Sequence, residues 1–190
     1  MQRLPNQLTV ARMAAIPVLI ALLLLPVGPG TAWAAAAVFA LAALTDFVDG
    51  WLARRHGATS DFGRLMDPIA DKMLVAAALI LLVVVDRLPG LHALAAVVIL
   101  LREFFVSGLR EFLAEKGEAG LPVSPLAKWK TTVQMVAIGL LILAPALPAG
   151  WLLYGQILLW VAAALTVATG ADYAAAGLRR ALGRPPPPPS

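Results

Sequence analysis

Long apolar stretches separated by short polar or turn-forming segments make up most of this chain. A helix needs about 20 mainly apolar residues to cross a bilayer, and stretches of that length recur along the sequence. The segments between them contain Pro and Gly in combinations that predict turns, namely "PVGPG" at 26–30, "RLPG" at 87–90, "KGEAGLPVSP" at 116–125 and "APALPAG" at 144–150. Six membrane-spanning helices are therefore predicted, at about 8–27, 31–54, 65–85, 91–113, 129–148 and 151–174.

Composition supports an all-α integral membrane bundle. The 190 residues are 61% hydrophobic, with a mean hydropathy of +0.84, whereas soluble domains are roughly 45–50% apolar. Alternating patterns of a membrane β-barrel are lacking, and the absence of cysteine excludes disulfides and thiolate chemistry. We expect one membrane domain over 1–178, followed by a basic, proline-rich and disordered tail over 179–190.

The distribution of basic residues predicts the topology. Lys and Arg mark the cytoplasmic side of a membrane protein, and here only Arg87 lies on the opposite side. We therefore expect a multi-pass membrane protein with both termini and the Asp-rich loop in the cytoplasm. An N-terminal signal peptide ending near "AWA" at 32–34 is disfavoured, because the apolar run continues into further spans. The residues that define the cytoplasmic side are Arg3, Arg12, Arg54, Arg55, Arg64, Lys116, Lys128, Lys130, Arg179, Arg180 and Arg184.

Five of the eleven acidic residues fall between Asp46 and Lys72, around the predicted loop between the second and third helices. Asp46 and Asp49 are three residues apart and share a helix face, as do Asp67 and Asp71, four apart. Because the linker is short, the two helices should form a hairpin in which the four carboxylates converge. Pro68 suits the first helical position with Asp67 as N-cap. A helix that begins earlier and is kinked at Pro68 is the alternative.

Converging carboxylates repel one another, and an Asp within a membrane helix costs roughly 2.5–3.5 kcal/mol on insertion scales. Divalent cations that prefer oxygen ligands, such as magnesium, manganese or calcium, would offset this. Two such ions could form the clamp used for displacement at phosphorus. Pairing with the nearby basic residues is the alternative, but it does not explain two same-face pairs. Those basic residues are Arg54, Arg55, Arg64 and Lys72.

Small residues flank the acidic loop. Gly50, Ala53 and Gly63 would let a ligand approach the backbone, or would simply permit close helix packing. Arg54 could hold a diphosphate or anchor the helix at the lipid headgroups.

A second polar stripe lies on the fourth span, where Glu103, Ser107, Arg110 and Glu111 share a face. On the fifth span, Lys130 and Gln134 are four apart, with Thr131 beside Lys130. We expect Arg110 and Lys130 to face the bundle interior and to bind an anionic second substrate, although Lys128 and Lys130 also satisfy the positive-inside rule.

On the first helix, Asn6, Thr9 and Arg12 share a face. They would be either a helix cap with an arginine that extends to the membrane surface, or contacts to phosphate.

These residues resemble a known family. The pattern D-x2-D-G-x2-A-R-x8-G-x3-D-x3-D, from Asp46 to Asp71, resembles the signature of the CDP-alcohol phosphotransferases at every fixed position. The segments "PNQLTVAR" at 5–12, "REFFVSGLRE" at 102–111 and "KWKTTVQ" at 128–134 are similar to the bacterial branch that uses CDP-diacylglycerol and glycerol 3-phosphate. Ala127 departs from the glycine expected before the lysine.

The resemblance implies six transmembrane helices in the bacterial inner membrane, a homodimer and a site open to the cytoplasm. Asp46, Asp49 and Asp67 would ligate metal, with two magnesium or manganese ions expected. Asp71 would be the general base and would contact the second ion. The cytidine-diphosphate site would be lined by Gly50, Ala53, Arg54 and Gly63, and the acceptor phosphate would meet Arg110 and Lys130.

The implied reaction transfers a phosphatidyl group to glycerol 3-phosphate and releases CMP. Alternatives keep the chemistry but use inositol phosphate, or use phosphatidylglycerol as in a cardiolipin synthase. A divalent-cation or proton transporter is the alternative from another class, and it would place acids near mid-membrane. Lipid is an expected partner and nucleic acid is not.

Overall fold

The computed structural model describes residues 3–56, 61–115 and 125–181, and every regular element in these ranges is helical. This confirms the predicted all-α fold. Helix α6 includes three residues of the segment expected as a tail, and residues 182–190 lie outside the described residues. The α-helices are α1 (Arg3–Leu24), α2 (Pro29–His56), α3 (Asp61–Val84), α4 (His92–Glu115), α5 (Pro125–Leu143) and α6 (Trp151–Ala181), and a 3-10 turn spans Ala144–Ala146.

The predicted turns end the helices through recognisable local chemistry. At the start of α2, Pro29 occupies the first helical position, where its missing N–H has no helical partner to lose. The Thr31 hydroxyl accepts a hydrogen bond from the Gly28 N–H at 3.1 Å and so reaches back to the start of the helix. After α3, Asp86 adopts a left-handed φ of 62°, and the Arg87 N–H donates to the Leu82 carbonyl at 2.9 Å.

Helix α3 begins before Pro68. Its first residue is Asp61, so Pro68 lies inside the helix. The prediction that Asp67 caps the helix is therefore wrong, and the alternative of an earlier start is correct. Pro68 cannot donate to the carbonyl four residues earlier, and its ring clashes with that carbonyl, so proline at this interior position costs about 3 kcal/mol and favours a kink.

Several helices are long and apolar enough to cross a bilayer. Among the described residues, His92–Glu115, Trp129–Ala146 and Trp151–Ala175 meet this criterion, and Thr9–Leu24 and Pro29–Thr45 are shorter apolar stretches. Large side chains on these helices point outward, and Leu101, for example, is 66% exposed. Lipid accommodates such a surface, whereas water would not. The chain is thus a helical membrane protein.

The chain divides into two compact units. The first comprises Met1–Pro89 and Met135–Gln156, and in it α1 packs along both α2 and α3, which also contact each other. Its largest fully buried side chains include Leu19, Leu74 and Leu79.

The second unit comprises Gly90–Gln134 and Ile157–Ser190. In it, Val106 and Leu113 of α4 pack with Tyr173 of α6, and Leu109 covers this cluster.

Candidate active site

The signature aspartates occupy two contacting helices of the first unit. Asp49 lies seven residues before the end of α2, and Asp67 lies six residues after the start of α3. At 1.5 Å per residue, each is about 10 Å from its helix end. Asp46 and Asp71 are each ten residues from those same ends. In a hairpin of α2 and α3, the two pairs of aspartates would lie at similar distances from the connecting loop. This favours the predicted convergence of their carboxylates.

Of these four residues, Asp71 has a described side chain, which is half-buried. The side chains of Asp46, Asp49 and Asp67 lie outside the described residues, so the convergence of the carboxylates stays a prediction. The same holds for Gly50, Ala53, Arg54 and Gly63, whose places on α2 and α3 follow from the helix bounds alone.

Lys72 was one of the cations that the ion-pair alternative would use to neutralise the aspartates. Its ammonium group donates a hydrogen bond to the main-chain carbonyl of Pro68 at 3.1 Å. The lysine thus helps to satisfy the backbone at the turn that contains the proline.

Helix α1 contributes two buried polar side chains to this unit. Thr9 is fully buried and Arg12 is only 1% exposed. Because α1 begins at Arg3, Asn6 lies within the helix and is not its cap. The cap part of the cap-and-anchor interpretation is therefore wrong, and anchoring of Arg12 at the membrane surface stays a prediction. Contact with phosphate stays a prediction, and the side chain of Asn6 lies outside the described residues.

A groove of about 400 Å³ runs between α1 and α2. Most of its wall is apolar, and small alanine side chains leave the space. Thr45, at one end of the α2 wall, directly precedes Asp46, so the groove leads to the first signature position. The lining residues are Ala11, Arg12, Ala14, Ala15, Val18, Val38, Leu41, Ala42 and Thr45.

In the second unit, Glu103 of α4 is held by two cations. The Lys130 ammonium group of α5 and the Arg102 guanidinium both donate to the same carboxylate oxygen, Arg102 at 3.2 Å. Arg102 also donates to the Thr169 hydroxyl at 3.1 Å. The Lys130 side chain is only 5% exposed, whereas that of Glu103 is 23% exposed. The three charged groups form a partly buried network in which Glu103 is the most exposed member.

Arg110 takes a different position from Lys130. Its side chain is exposed, in contrast to the expectation that both cations face the interior. Arg110 donates to the Tyr173 hydroxyl at 3.2 Å, and its guanidinium carbon lies 5.0 Å from the centre of that ring. Tyr173 therefore orients Arg110 by a hydrogen bond and a cation–π contact.

Arg102, Thr169 and Tyr173 were not singled out by the sequence patterns. Arg102 lies beside the polar stripe of α4 and not on it, and its partner Thr169 is 67 residues away. Gly170 makes room for Arg102, because a Cβ atom there would lie 2.8 Å from the Arg102 Cγ. The sequence offered one indication that Arg102 is functional: it is the first residue of the segment "REFFVSGLRE", which resembles a branch of the family.

The donor set suits a divalent metal. Within the described side chains no three His, Cys, Asp or Glu residues cluster as a metal site, but three of the four signature aspartates lie outside that set. Carboxylate oxygens are the ligands that magnesium and manganese prefer. A half-buried Asp71, one helical turn from Asp67, is consistent with such a site.

Sequence comparison identifies the class of protein. The profile of the family described as CDP-alcohol phosphatidyltransferase matches residues 2–168. The chain therefore belongs to the CDP-alcohol phosphatidyltransferase family, whose members are generally dependent on divalent metal.

The chain is also similar to individual proteins over about 90% of its length. The CDP-diacylglycerol–glycerol-3-phosphate 3-phosphatidyltransferase of Rickettsia bellii is 45% identical over 179 residues, which cover 90% of this chain and 93% of the relative. The Bacillus subtilis protein of the same name is 40% identical over 186 residues, covering 91% and 94%. A chloroplastic/mitochondrial form from Arabidopsis thaliana is 39% identical over 181 residues, covering 90% of this chain and 61% of that protein.

Proposed function

We propose that this chain transfers the phosphatidyl group of CDP-diacylglycerol to glycerol 3-phosphate, which yields phosphatidylglycerophosphate and CMP. The observation that carries the proposal is the complete signature from Asp46 to Asp71, on two contacting helices, in a chain 40–45% identical to relatives bearing that activity in their names. A membrane location suits the lipid donor, and a basic network suits the anionic acceptor.

The first unit supports the donor site. CDP-diacylglycerol needs polar contacts for its diphosphate and an apolar surface for its chains. The groove between α1 and α2 offers an apolar wall that leads to Asp46, with the buried Arg12 beside it. We assign the diphosphate to the parts of α2 and α3 that carry the signature residues, near Gly50, Ala53, Arg54 and Gly63. One acyl chain is assigned to the groove.

Proton transfer is assigned to Asp71. The acceptor hydroxyl gives its proton to the Asp71 carboxylate, while its oxygen attacks the phosphorus atom that carries diacylglycerol. A bond forms between that oxygen and phosphorus, and the bond to CMP breaks, so CMP leaves with the bonding electrons. Asp71 suits the role because it lies one helical turn farther along α3 than Asp67 and its side chain is only half-buried.

Asp46, Asp49 and Asp67, with Asp71, would hold two magnesium or manganese ions. Bound there, the ions would neutralise the diphosphate and the developing charge on CMP.

The second unit supports the acceptor site. A phosphate group bound by Lys130 and Arg110 would fix glycerol 3-phosphate through charge-assisted hydrogen bonds. Lys130 is already desolvated, which strengthens its interaction with an anion.

Arg110 is exposed and is held by Tyr173, so protein side chains do not cover its guanidinium. An acceptor without an anionic group would have no use for these two cations.

The remaining features belong to the same proposal. We infer an active site and both termini on the cytoplasmic side of the bacterial inner membrane, from the excess of Lys and Arg there. We also infer a homodimer, as the family resemblance implies.

The test is CMP release by purified protein in detergent, with magnesium, CDP-diacylglycerol and one acceptor at a time. Glycerol 3-phosphate should support release, while inositol phosphate and phosphatidylglycerol should support little. Preference for either of the latter would keep the chemistry but overturn the acceptor. No release with any acceptor, from folded protein that binds magnesium, would contradict the transferase assignment. A transporter is not favoured, because the chain belongs to a family of transferases.

A further inference from the structure

We propose that Glu103 is an exchangeable counter-ion of the acceptor site, one that occupies the Lys130 ammonium group when no phosphate is bound and returns to it as the product leaves. This inference rests on the proposed function for the identity of the acceptor. The carboxylate thereby sets the affinity for the phosphate group and the rate at which a phosphate-bearing product departs.

The contacts define the competition. Lys130 and Arg102 both donate to one oxygen of Glu103, so a single carboxylate faces two cations. A phosphate group has the same kind of acceptor atoms and a larger negative charge. Any phosphate that binds Lys130 must share the ammonium group with Glu103 or displace it. The observed affinity is therefore reduced by the strength of the Glu103 contact.

Burial makes the counter-ion necessary. Lys130 is nearly enclosed, and removing one partner of a buried ion pair is strongly destabilising. Glu103 stabilises the charged Lys130 side chain in the ligand-free protein. It is the more exposed partner, so it is the group with room to move when phosphate enters.

The exchange would assist product release, because the acceptor and the product carry the same phosphate group. The phosphate group of glycerol 3-phosphate is not consumed, because the new bond forms at the hydroxyl. Phosphatidylglycerophosphate therefore carries the same phosphate group as the acceptor. A site without a competing carboxylate would bind this phosphate group tightly and would therefore also retain the product. Glu103 lowers the barrier to release by taking back Lys130.

Arg102 anchors the carboxylate during the exchange. It contacts Thr169 of α6 as well as Glu103, and its guanidinium carbon lies 5.7 Å from the centre of the Tyr173 ring. Glu103 can thus leave Lys130 while remaining paired with Arg102. The carboxylate is not expelled into lipid.

The first experiment needs no turnover. Thermal unfolding of Glu103→Gln and wild-type protein is followed in detergent while inorganic phosphate replaces chloride at constant ionic strength. We expect phosphate to bind Glu103→Gln at least about tenfold more tightly, seen as stabilisation at lower phosphate concentration. Glu115→Gln removes a charge from an exposed site on the same helix and should respond like wild type. An unchanged or weaker phosphate response of Glu103→Gln overturns the proposal.

The second experiment separates exchange from mere positioning of Lys130. With glycerol 3-phosphate as acceptor, Glu103→Gln should lower both KM and kcat, because binding tightens and product release slows. A higher KM with unchanged kcat would instead show that Glu103 only orients Lys130, and would reject the exchange.

A folding defect in Glu103→Gln would not prevent the test. Glu103→Asp keeps the charge but shortens its reach by one carbon, so it should shift phosphate binding in the same direction by a smaller factor. A wild-type response from Glu103→Asp, in protein whose Glu103→Gln form does not fold, would count against the exchange. Failure of glycerol 3-phosphate as acceptor would overturn the proposed function yet leave the phosphate titration interpretable.

Discussion

Replacing Gly170 by alanine should displace Arg102 and loosen the charged network of the second unit. An added Cβ atom would lie 2.8 Å from the Arg102 Cγ and 3.2 Å from its Nε, whereas ordinary contact begins near 3.4 Å. The side chain must therefore recede by about 0.6 Å. Arg102 donates hydrogen bonds to Thr169 at 3.1 Å and to Glu103 at 3.2 Å. A shift of about 0.6 Å that lengthens either contact takes it beyond hydrogen-bond distance.

The energetic consequence is best measured against Gly108→Ala. Gly108 lies on α4, and a Cβ atom there would meet nothing within 4 Å. Both substitutions gain about 1 kcal/mol from helix propensity, so that contribution cancels in the comparison. A hydrogen bond to a charged group is worth about 1.5–3 kcal/mol. If one contact is lost, Gly170→Ala should be less stable than Gly108→Ala by that amount.

Thermal unfolding of the two purified variants in the same detergent is the assay. For a chain of this size, 1 kcal/mol corresponds to about 2–4 °C in Tm, so a difference of roughly 3–12 °C is expected. Equal melting temperatures would refute the reasoning, because Arg102 would then have moved without losing a contact. A kinetic readout adds to the test. With Arg102 withdrawn, Glu103 should bind Lys130 more strongly and raise the KM for glycerol 3-phosphate.

Three further predictions concern the proposed reaction. Asp71→Asn should lower kcat by about 10²–10⁴-fold, the usual contribution of a general base, while binding of CDP-diacylglycerol, followed by thermal shift, is retained; an equal loss of binding would remove Asp71 from that role. Lys130→Met should raise the KM for glycerol 3-phosphate by roughly 10- to 100-fold, equivalent to one charged hydrogen bond, with the KM for the lipid donor unchanged. Ala14→Leu should fill part of the groove and raise the donor KM about 5- to 30-fold, through the loss of some ten atomic contacts. The matched Ala40→Leu change, exposed on α2 outside the groove, should leave it unchanged, and equal effects of the two would argue against an acyl chain there.

Much of this protein could be predicted from local features of the sequence. Apolar runs of spanning length predict the helices because the bilayer requires every backbone group to be bonded within its own segment. The signature spacing likewise places Asp46 with Asp49, and Asp67 with Asp71, since residues three or four apart share a helix face. The start of α3 was not specified by the sequence, because proline suits the first helical position but also occurs inside helices, where it costs about 3 kcal/mol that packing must offset.

The arrangement of the charged network was decided by the tertiary structure. Periodicity places Glu103 and Arg110 on one stripe of α4, but it does not reveal that Glu103 meets Lys130, 27 residues away, or that Arg110 lies outward against Tyr173. Nor does it reveal the contact between Arg102 and Thr169. These contacts depend on how each helix is rotated about its axis and on a glycine that admits a side chain. Such choices follow from packing between distant segments, so the local pattern alone does not specify them.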